Sequence, residues 1–296
     1  MKHWIASICL ACAIAPVLAQ PSDTTRATEA ATFGDIRRSE WQFQRTTPLS
    51  DAEKAVQAVI DAVTKRDCAA AVAALNGGLS KAYPEVLLLA ASMYEEGICL
   101  KPNWDRAVTF YQRALAAGQS TAAARLAAGY AAPVGGSDKA AALWWALRAK
   151  TGVPEECSRV ASLVDDADRF IAALGAWPAS RLDACAYAAA VMAMIQGDIG
   201  APALAAAYGM EGKIKVVFVP GEGRVDVADN DVRAAAVSGL QSAGAASDNN
   251  NQAVRKVLLA HLRYVSERAI QRYAKPAVVD ASWKATMDFE FKSAVR

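Results

Sequence analysis

A spacing between residues 94 and 118 constrains this chain more than any other feature. The stretch reads YEEGICLKPNWDRAVTFYQRALAAG. Asn103 suits a helix N-cap, and Asp105 lies near the positive end of the helix that follows. Trp104, Ala107, Val108, Tyr111 and Leu115 then fall on one helical face. Gly97 and Gly118 supply stops on either side. Ala107 and Ala114 lie two turns apart on one face, which lets a second helix approach closely, while Tyr94 and Tyr111 fill the wider gaps. Such a segment is expected to fold as an αα-hairpin, and hairpins of this kind stack. The pattern returns. Asn103, Ala107, Phe110 and Ala114 match Asp138, Ala142, Trp145 and Ala149 at a shift of 35, and Tyr94 matches Tyr130 at 36. A period in the mid-thirties signals helical repeats.

Helices are expected on both flanks. Ser50 and Glu53 form a capping-box pattern, followed by a face of Ala52, Ala55, Val56, Val59, Ala62 and Val63. Residues 66–76 suggest a second helix, ended by Gly77-Gly78. A third starts at Pro84-Glu85, where Pro suits the first turn, with Leu87, Ala90, Ala91 and Tyr94 on its inner face. Beyond the second hairpin, Leu163, Ala167, Phe170 and Leu174 pattern one helix, and Leu182, Cys185, Ala186, Ala189 and Met192 another. The chain is 54% hydrophobic. Much of that is Ala, which favours closely packed helices.

After the break from Gly197 to Pro202 the period changes. Ile214, Val216 and Phe218 alternate with Lys213, Lys215 and Val217. Pro220-Gly221-Glu222-Gly223 reads as a turn, and Val225 and Val227 alternate again, which makes a β-hairpin. A helix over 251–273 follows, with Val254, Val257, Leu258, Leu262 and Val265 inward. A final strand is expected over 282–291. It turns Trp283, Ala285, Met287, Phe289 and Phe291 inward and Lys284, Thr286, Asp288 and Glu290 outward. The fold expected is an N-terminal helical-repeat domain, 50–199, followed by a small α+β domain, 204–293.

The order Tyr…Gly…(Asn/Asp)xxxAxx(Phe/Trp)xxxA…Gly resembles Sel1-like repeats, relatives of the tetratricopeptide class, over about 83–153. The second region resembles the TonB C-terminal domain. The residues that carry this are Gly212-Lys213-Ile214-Lys215-Val216-Val217-Phe218-Val219, Gly223-Arg224-Val225-Asp226-Val227, Tyr273-Ala274-Lys275-Pro276 and Trp283…Phe289-Glu290-Phe291. The first resemblance implies a protein-interaction surface. The second implies a final strand that pairs with a partner's extended segment, through an edge bearing Lys284, Thr286, Asp288 and Glu290. Two further activities follow from resemblance alone. One is energy transduction with an inner-membrane motor. The other is β-lactam hydrolysis, as in some exported, cysteine-rich Sel1-like proteins.

The first residues, MKHWIASICLACAIAPVLAQ, read as a secretory signal peptide, 1–19, with cleavage after Ala19; an uncleaved membrane anchor and a lipoprotein modified at Cys12 are the alternatives. A flexible leader, 20–49, is expected next. Cleavage would leave a soluble periplasmic chain with one histidine, His261, and four cysteines, 68, 99, 157 and 185. An even number in an exported protein suggests disulfides, with four buried thiols as the alternative. Each of the pairs Cys68–Cys99 and Cys157–Cys185 joins neighbouring helical segments, and these are the bridges expected.

The formal charge is +2, without the basic excess that binds nucleic acid through phosphates. One mature histidine cannot build a His-based metal cluster, and the cysteines show no CxxC pair. His261 lies on or beside an apolar stripe and reads as a boundary residue. Asp165, Asp166 and Asp168 form the densest acidic group; on a helix 165 and 168 share a face while 166 diverges, and the group reads as a solvated face, with a cation or partner contact as the alternative. Gly221-x-Gly223 is a hairpin turn, since no helix follows it to hold a phosphate. The pair Trp144-Trp145 is more informative. One ring is expected in the core, and the other points about 100° away, where it can line a groove. The sequence thus points to a non-catalytic periplasmic interaction protein of the cell envelope, with no cofactor and with protein partners.

Overall fold

Local capping signals build most of the first half. The structure is a computed structural model and describes residues 49–132, 137–198, 210–234 and 244–291. The expected signal peptide, the leader to residue 48 and residues 199–202 of the expected break lie outside the described residues. Helix α1 (Asp51–Thr64) opens on the capping box, with Ser50 Oγ accepting from Glu53 N–H and the Glu53 carboxylate accepting from Ser50 N–H. Helix α2 (Cys68–Ser80) does not end at Gly77-Gly78 but runs through both. A Cβ on Gly78 would stand 2.8 Å from Val86 Cγ1. That glycine therefore serves close approach to α3 (Pro84–Glu96) rather than a stop. The reversal comes later, at Ala82, whose φ is 54°.

Helix α3 ends at Gly97, in the left-handed region at φ 71°. Asn103 caps α4 (Trp104–Ala116) by accepting from Arg106 N–H at 2.9 Å. After α5 (Thr121–Ala131), Asp138 caps α6 (Lys139–Arg148) in the same way, accepting from Ala141 N–H at 2.9 Å. Both turns close on the same backbone bond. Asn103 N–H donates to the Tyr94 carbonyl at 2.9 Å, and Asp138 N–H donates to the Tyr130 carbonyl at 2.8 Å. The hairpins differ in length, since α4 has 13 residues and α6 has 10. Ala149 is therefore a C-cap and not an interior match for Ala114. Ala146 is the buried alanine one turn after Ala142.

The expected helix from Leu163 to Leu174 is broken. A short α7 (Glu155–Ser158) and a 3-10 turn (Ala161–Leu163) precede α8 (Ala167–Gly175). Asp166 caps α8 by accepting from Arg169 N–H, so the chain cannot be helical through it. Phe170 and Leu174 are buried as the spacing requires.

Helix α9 (Ala179–Asp198) is buried on every side from Ala184 to Ile195. It packs on α5 and α6 and, beyond them, on α10 (Gly244–Arg272) and the sheet. A helix with partners all round needs no polar face. The sheet is antiparallel, with β1 (Met210–Val219) between β2 (Arg224–Ala234) and β3 (Ala285–Phe291). Val216 lies opposite both Val227 and Met287. Ile214, Val216 and Phe218 are fully buried, and the Phe218 ring meets the Tyr187 ring of α9 at a 5.6 Å centroid distance.

The final strand starts at Ala285, not Ser282. The Asp280 carboxylate accepts from both the backbone N–H and the hydroxyl of Ser282, and Trp283 N–H donates to the Asp280 carbonyl. That turn keeps Ser282, Trp283 and Lys284 out of the strand. Helix α10 starts earlier than expected, and Leu262 and Val265 point inward as read. The side chains of Val254, Val257, Leu258 and Phe291 lie outside the described residues. The molecule is thus helical with a small three-stranded antiparallel sheet, and no described helix is long and apolar enough to cross a membrane.

Candidate functional site

The repeated spacing places α4 and α6 side by side across a shallow depression of about 600 Å³. Its lining includes Leu115, Tyr130, Asp138, Trp144 and Trp145. Both tryptophans are half-buried and meet edge to face at 4.8 Å. Trp145 packs on the core around Tyr111 and Leu126. Trp144 donates its indole N–H to the Val164 carbonyl at 3.0 Å, and the Arg148 guanidinium stands 4.7 Å from its ring. Neither ring is wholly core and both line the depression. Burial raises the Tyr130 hydroxyl above its ordinary value, and the charges of Asp138, which lies in that lining, and Asp105 add to it.

A second feature joins segments far apart in sequence. Arg272, the last residue of α10, forks onto the end of α3. Its Nη2 donates to Glu95 at 2.9 Å and its Nη1 to Glu96 at 2.6 Å. Glu95 also accepts from the buried Tyr111 hydroxyl at 2.7 Å. Nearby, Arg125 pairs with Asp198 at 2.5 Å, and Tyr273 donates to the Ala128 carbonyl at 2.8 Å. Burial pushes the Glu95 carboxyl up despite Arg125 and Arg272. Burial also acts on Glu96, but the charge and hydrogen bond of Arg272 outweigh it and hold that carboxyl below its ordinary value. A cavity of about 220 Å³ adjoins the fork, lined by Glu95, Pro102, Asn103, Trp104, Gly129 and Arg272, among others. This cluster is a joint as well as a polar pocket, since it ties α10 to the first hairpin. Sequence reasoning missed it. Glu95-Glu96 reads as a helix end and Arg272 as one cation among many, and nothing local links positions 177 apart.

Strand β3 lies at one edge of the sheet, with Thr286, Asp288 and Glu290 exposed, and Lys284 just before it. A Cβ on Gly152 would stand 2.0 Å from the Thr286 carbonyl oxygen. The loop after α6 therefore packs closely against the β3 backbone at Thr286 and Met287.

The cysteines pair as Cys68–Cys99 and Cys157–Cys185, with Cα separations of 4.9 and 5.5 Å. Asp166 caps α8, and Asp165 lies before that helix and faces Arg148 at 3.8 Å from an exposed position, so Asp165 and Asp168 do not share a helix face as expected. His261 is half-buried on α10. Among the described residues no group of three or more His, Cys, Asp or Glu side chains is placed to hold a metal ion. Comparison with protein-family models, with curated proteins and with solved structures finds no match for this chain.

Proposed function

We propose that this chain is an exported, non-catalytic interaction protein of the bacterial envelope that docks a protein partner on the α4–α6 depression. Its helical part would be a short Sel1-like array, and its C-terminal part a TonB-like α+β domain. The observation that carries the reading is the shared closure of two successive turns, Asn103 N–H on Tyr94 and Asp138 N–H on Tyr130. Equivalent hairpins set side by side make extended grooves suited to partners. Here the groove is floored by half-buried aromatic rings, the residue type that most often anchors a protein interface. Two disulfides fit an oxidising compartment such as the periplasm. We place the partner here rather than on β3, because the loop at Gly152 already packs against the backbone of that strand at Thr286.

Photo-cross-linking tests this. A cross-linker carried at the exposed rim residue Gln112 should capture a defined envelope protein, and Trp144→Ala should abolish the capture in a chain that remains folded. Capture that survives this change, or that occurs only from a cross-linker at Asp288 on β3, would overturn the assignment. Intact-mass measurement of the exported chain checks the compartment, with a start at Gln20 expected.

A further inference from the structure

The two disulfides sit in opposite surroundings. Cys157 and Cys185 are both fully buried, and Cys185 lies within the enclosed part of α9. Cys68 is exposed and Cys99 half-buried. Thiol–disulfide exchange needs a thiolate to reach a sulfur in line, so access decides which bridge reacts. Cys68 is also the first residue of the 13-residue helix α2, where the positive helix end favours a departing thiolate. Cys99 is held at φ 57°, a left-handed backbone that a non-glycine residue rarely adopts.

We infer that Cys68–Cys99 is a site of thiol–disulfide exchange with a dithiol reductant, and that its reduction releases the strap 97–103, whereas Cys157–Cys185 is structural. A thiolate of the dithiol attacks Cys99 Sγ. The Sγ–Sγ bond breaks, and its electron pair leaves on Cys68 Sγ, which takes a proton from water. The second reductant thiol, once deprotonated, attacks the reductant sulfur of the mixed disulfide and expels the Cys99 thiolate, which is protonated in turn. Two electrons pass to the chain, and the dithiol departs as its own disulfide.

The strap is placed to report this change. Its residues Pro102 and Asn103 line the small cavity beside Glu95, Trp104 and Arg272. A Cβ on Gly97 would meet Pro102 Cγ at 2.6 Å, so the loop is folded tightly on itself. Once the bridge opens, Cys99 is free to leave the left-handed region, and the wall of that cavity moves with it. The joint between α3 and α10 can then respond to redox state without loss of the core.

The test uses the full chain, oxidised and folded, treated with graded dithiothreitol, alkylated and mapped by peptide mass. Cys68 and Cys99 should be labelled at least about tenfold faster than Cys157 and Cys185. Hydrogen exchange should then rise at 97–103 and stay unchanged in α9. A Cys68→Ser, Cys99→Ser variant should reproduce that exchange pattern without reductant. Equal labelling of the two pairs, or faster labelling of Cys157 and Cys185, would overturn the inference. So would reduction of Cys68–Cys99 that leaves exchange at 97–103 unchanged.

Discussion

The helical array and the sheet region hold themselves together by different means. In the array, small residues bring helices together, as at Ala107, Ala114, Ala122 and Ala142, all fully buried. Caps at Ser50, Asp67, Asn103, Asp138 and Asp166 satisfy the free N–H groups of the first turns. Both disulfides lie there as well. The described sheet region has no disulfide, and its three strands bury one face against helices that belong partly to the other region, as Tyr187 on Phe218 shows. The array carries its own supports. The sheet depends on docking, because three strands with one apolar face must cover that face with something.

The sharpest way to break this contrast is to hollow the docking surface. Phe218→Ala removes a fully buried ring between β1 and α9 and should cost about 3–5 kcal/mol. Urea unfolding should stay a single transition, because α9 belongs to both cores. Two separate transitions would show that the regions fold independently.

Next comes the disulfide contrast. The bridges close loops of similar separation, 31 and 28 residues, so the chain-entropy model assigns each about 3–4 kcal/mol. Replacing Cys157 and Cys185 by Ala should cost more than the same change at Cys68 and Cys99, since the buried pair also loses packing. Thermal melts of the two double variants decide it, and equal losses would mean that burial adds nothing.

A smaller effect is expected where the regions touch. Gly152→Ala drives a Cβ into the Thr286 carbonyl and should destabilise by about 1–3 kcal/mol. Faster hydrogen exchange in β3 and unchanged exchange in α1–α4 should accompany it.

The two hairpins can be compared directly through their caps. Asn103→Ala and Asp138→Ala should each cost about 1 kcal/mol. Similar values in denaturant melts would support equivalent turns, and a large inequality would separate them.

The pH dependence of the Arg272 joint should be the subtlest effect. Glu95 is raised in the folded chain, so its contribution to stability is greatest at low pH and falls as pH rises from the ordinary carboxylate value through the raised one. Glu96 is lowered, so its contribution is present above the ordinary value and is lost as pH falls through the lowered one. Stability measured against pH should lose the first slope in Glu95→Gln and the second in Glu96→Gln.

Much of this fold was legible because its signals are short-range. A cap at Asn103 is read from a side chain and the amide three residues on, and the alternation of Ile214, Val216 and Phe218 follows from the pleat itself. Gly77-Gly78 misled because a glycine marks either a reversal or a close approach, and only the position of Val86 selects between them. The broken helix around Asp166 misled for a related reason, since apolar spacing alone does not register a cap that interrupts it. The aromatic depression was half legible. Trp144-Trp145 stood out, but not the Val164 carbonyl and the Arg148 guanidinium that take up the Trp144 ring.

By itself the sequence determined the capped helix starts at Ser50, Asn103 and Asp138 and the one at Pro84, the change to β structure in the last third, the alternation of the strands and the two neighbouring cysteine pairings. Each depends on groups close in the chain or on a fixed backbone period. Tertiary structure alone decided that α9 is enclosed, that Arg272 reaches Glu95 and Glu96, that Gly152 lies against Thr286, and that one disulfide is open and the other sealed. These depend on which surfaces meet across 100 residues or more, or on what covers a side chain after folding. Burial and long-range charge pairing are properties of the packed assembly, and no local spacing encodes them.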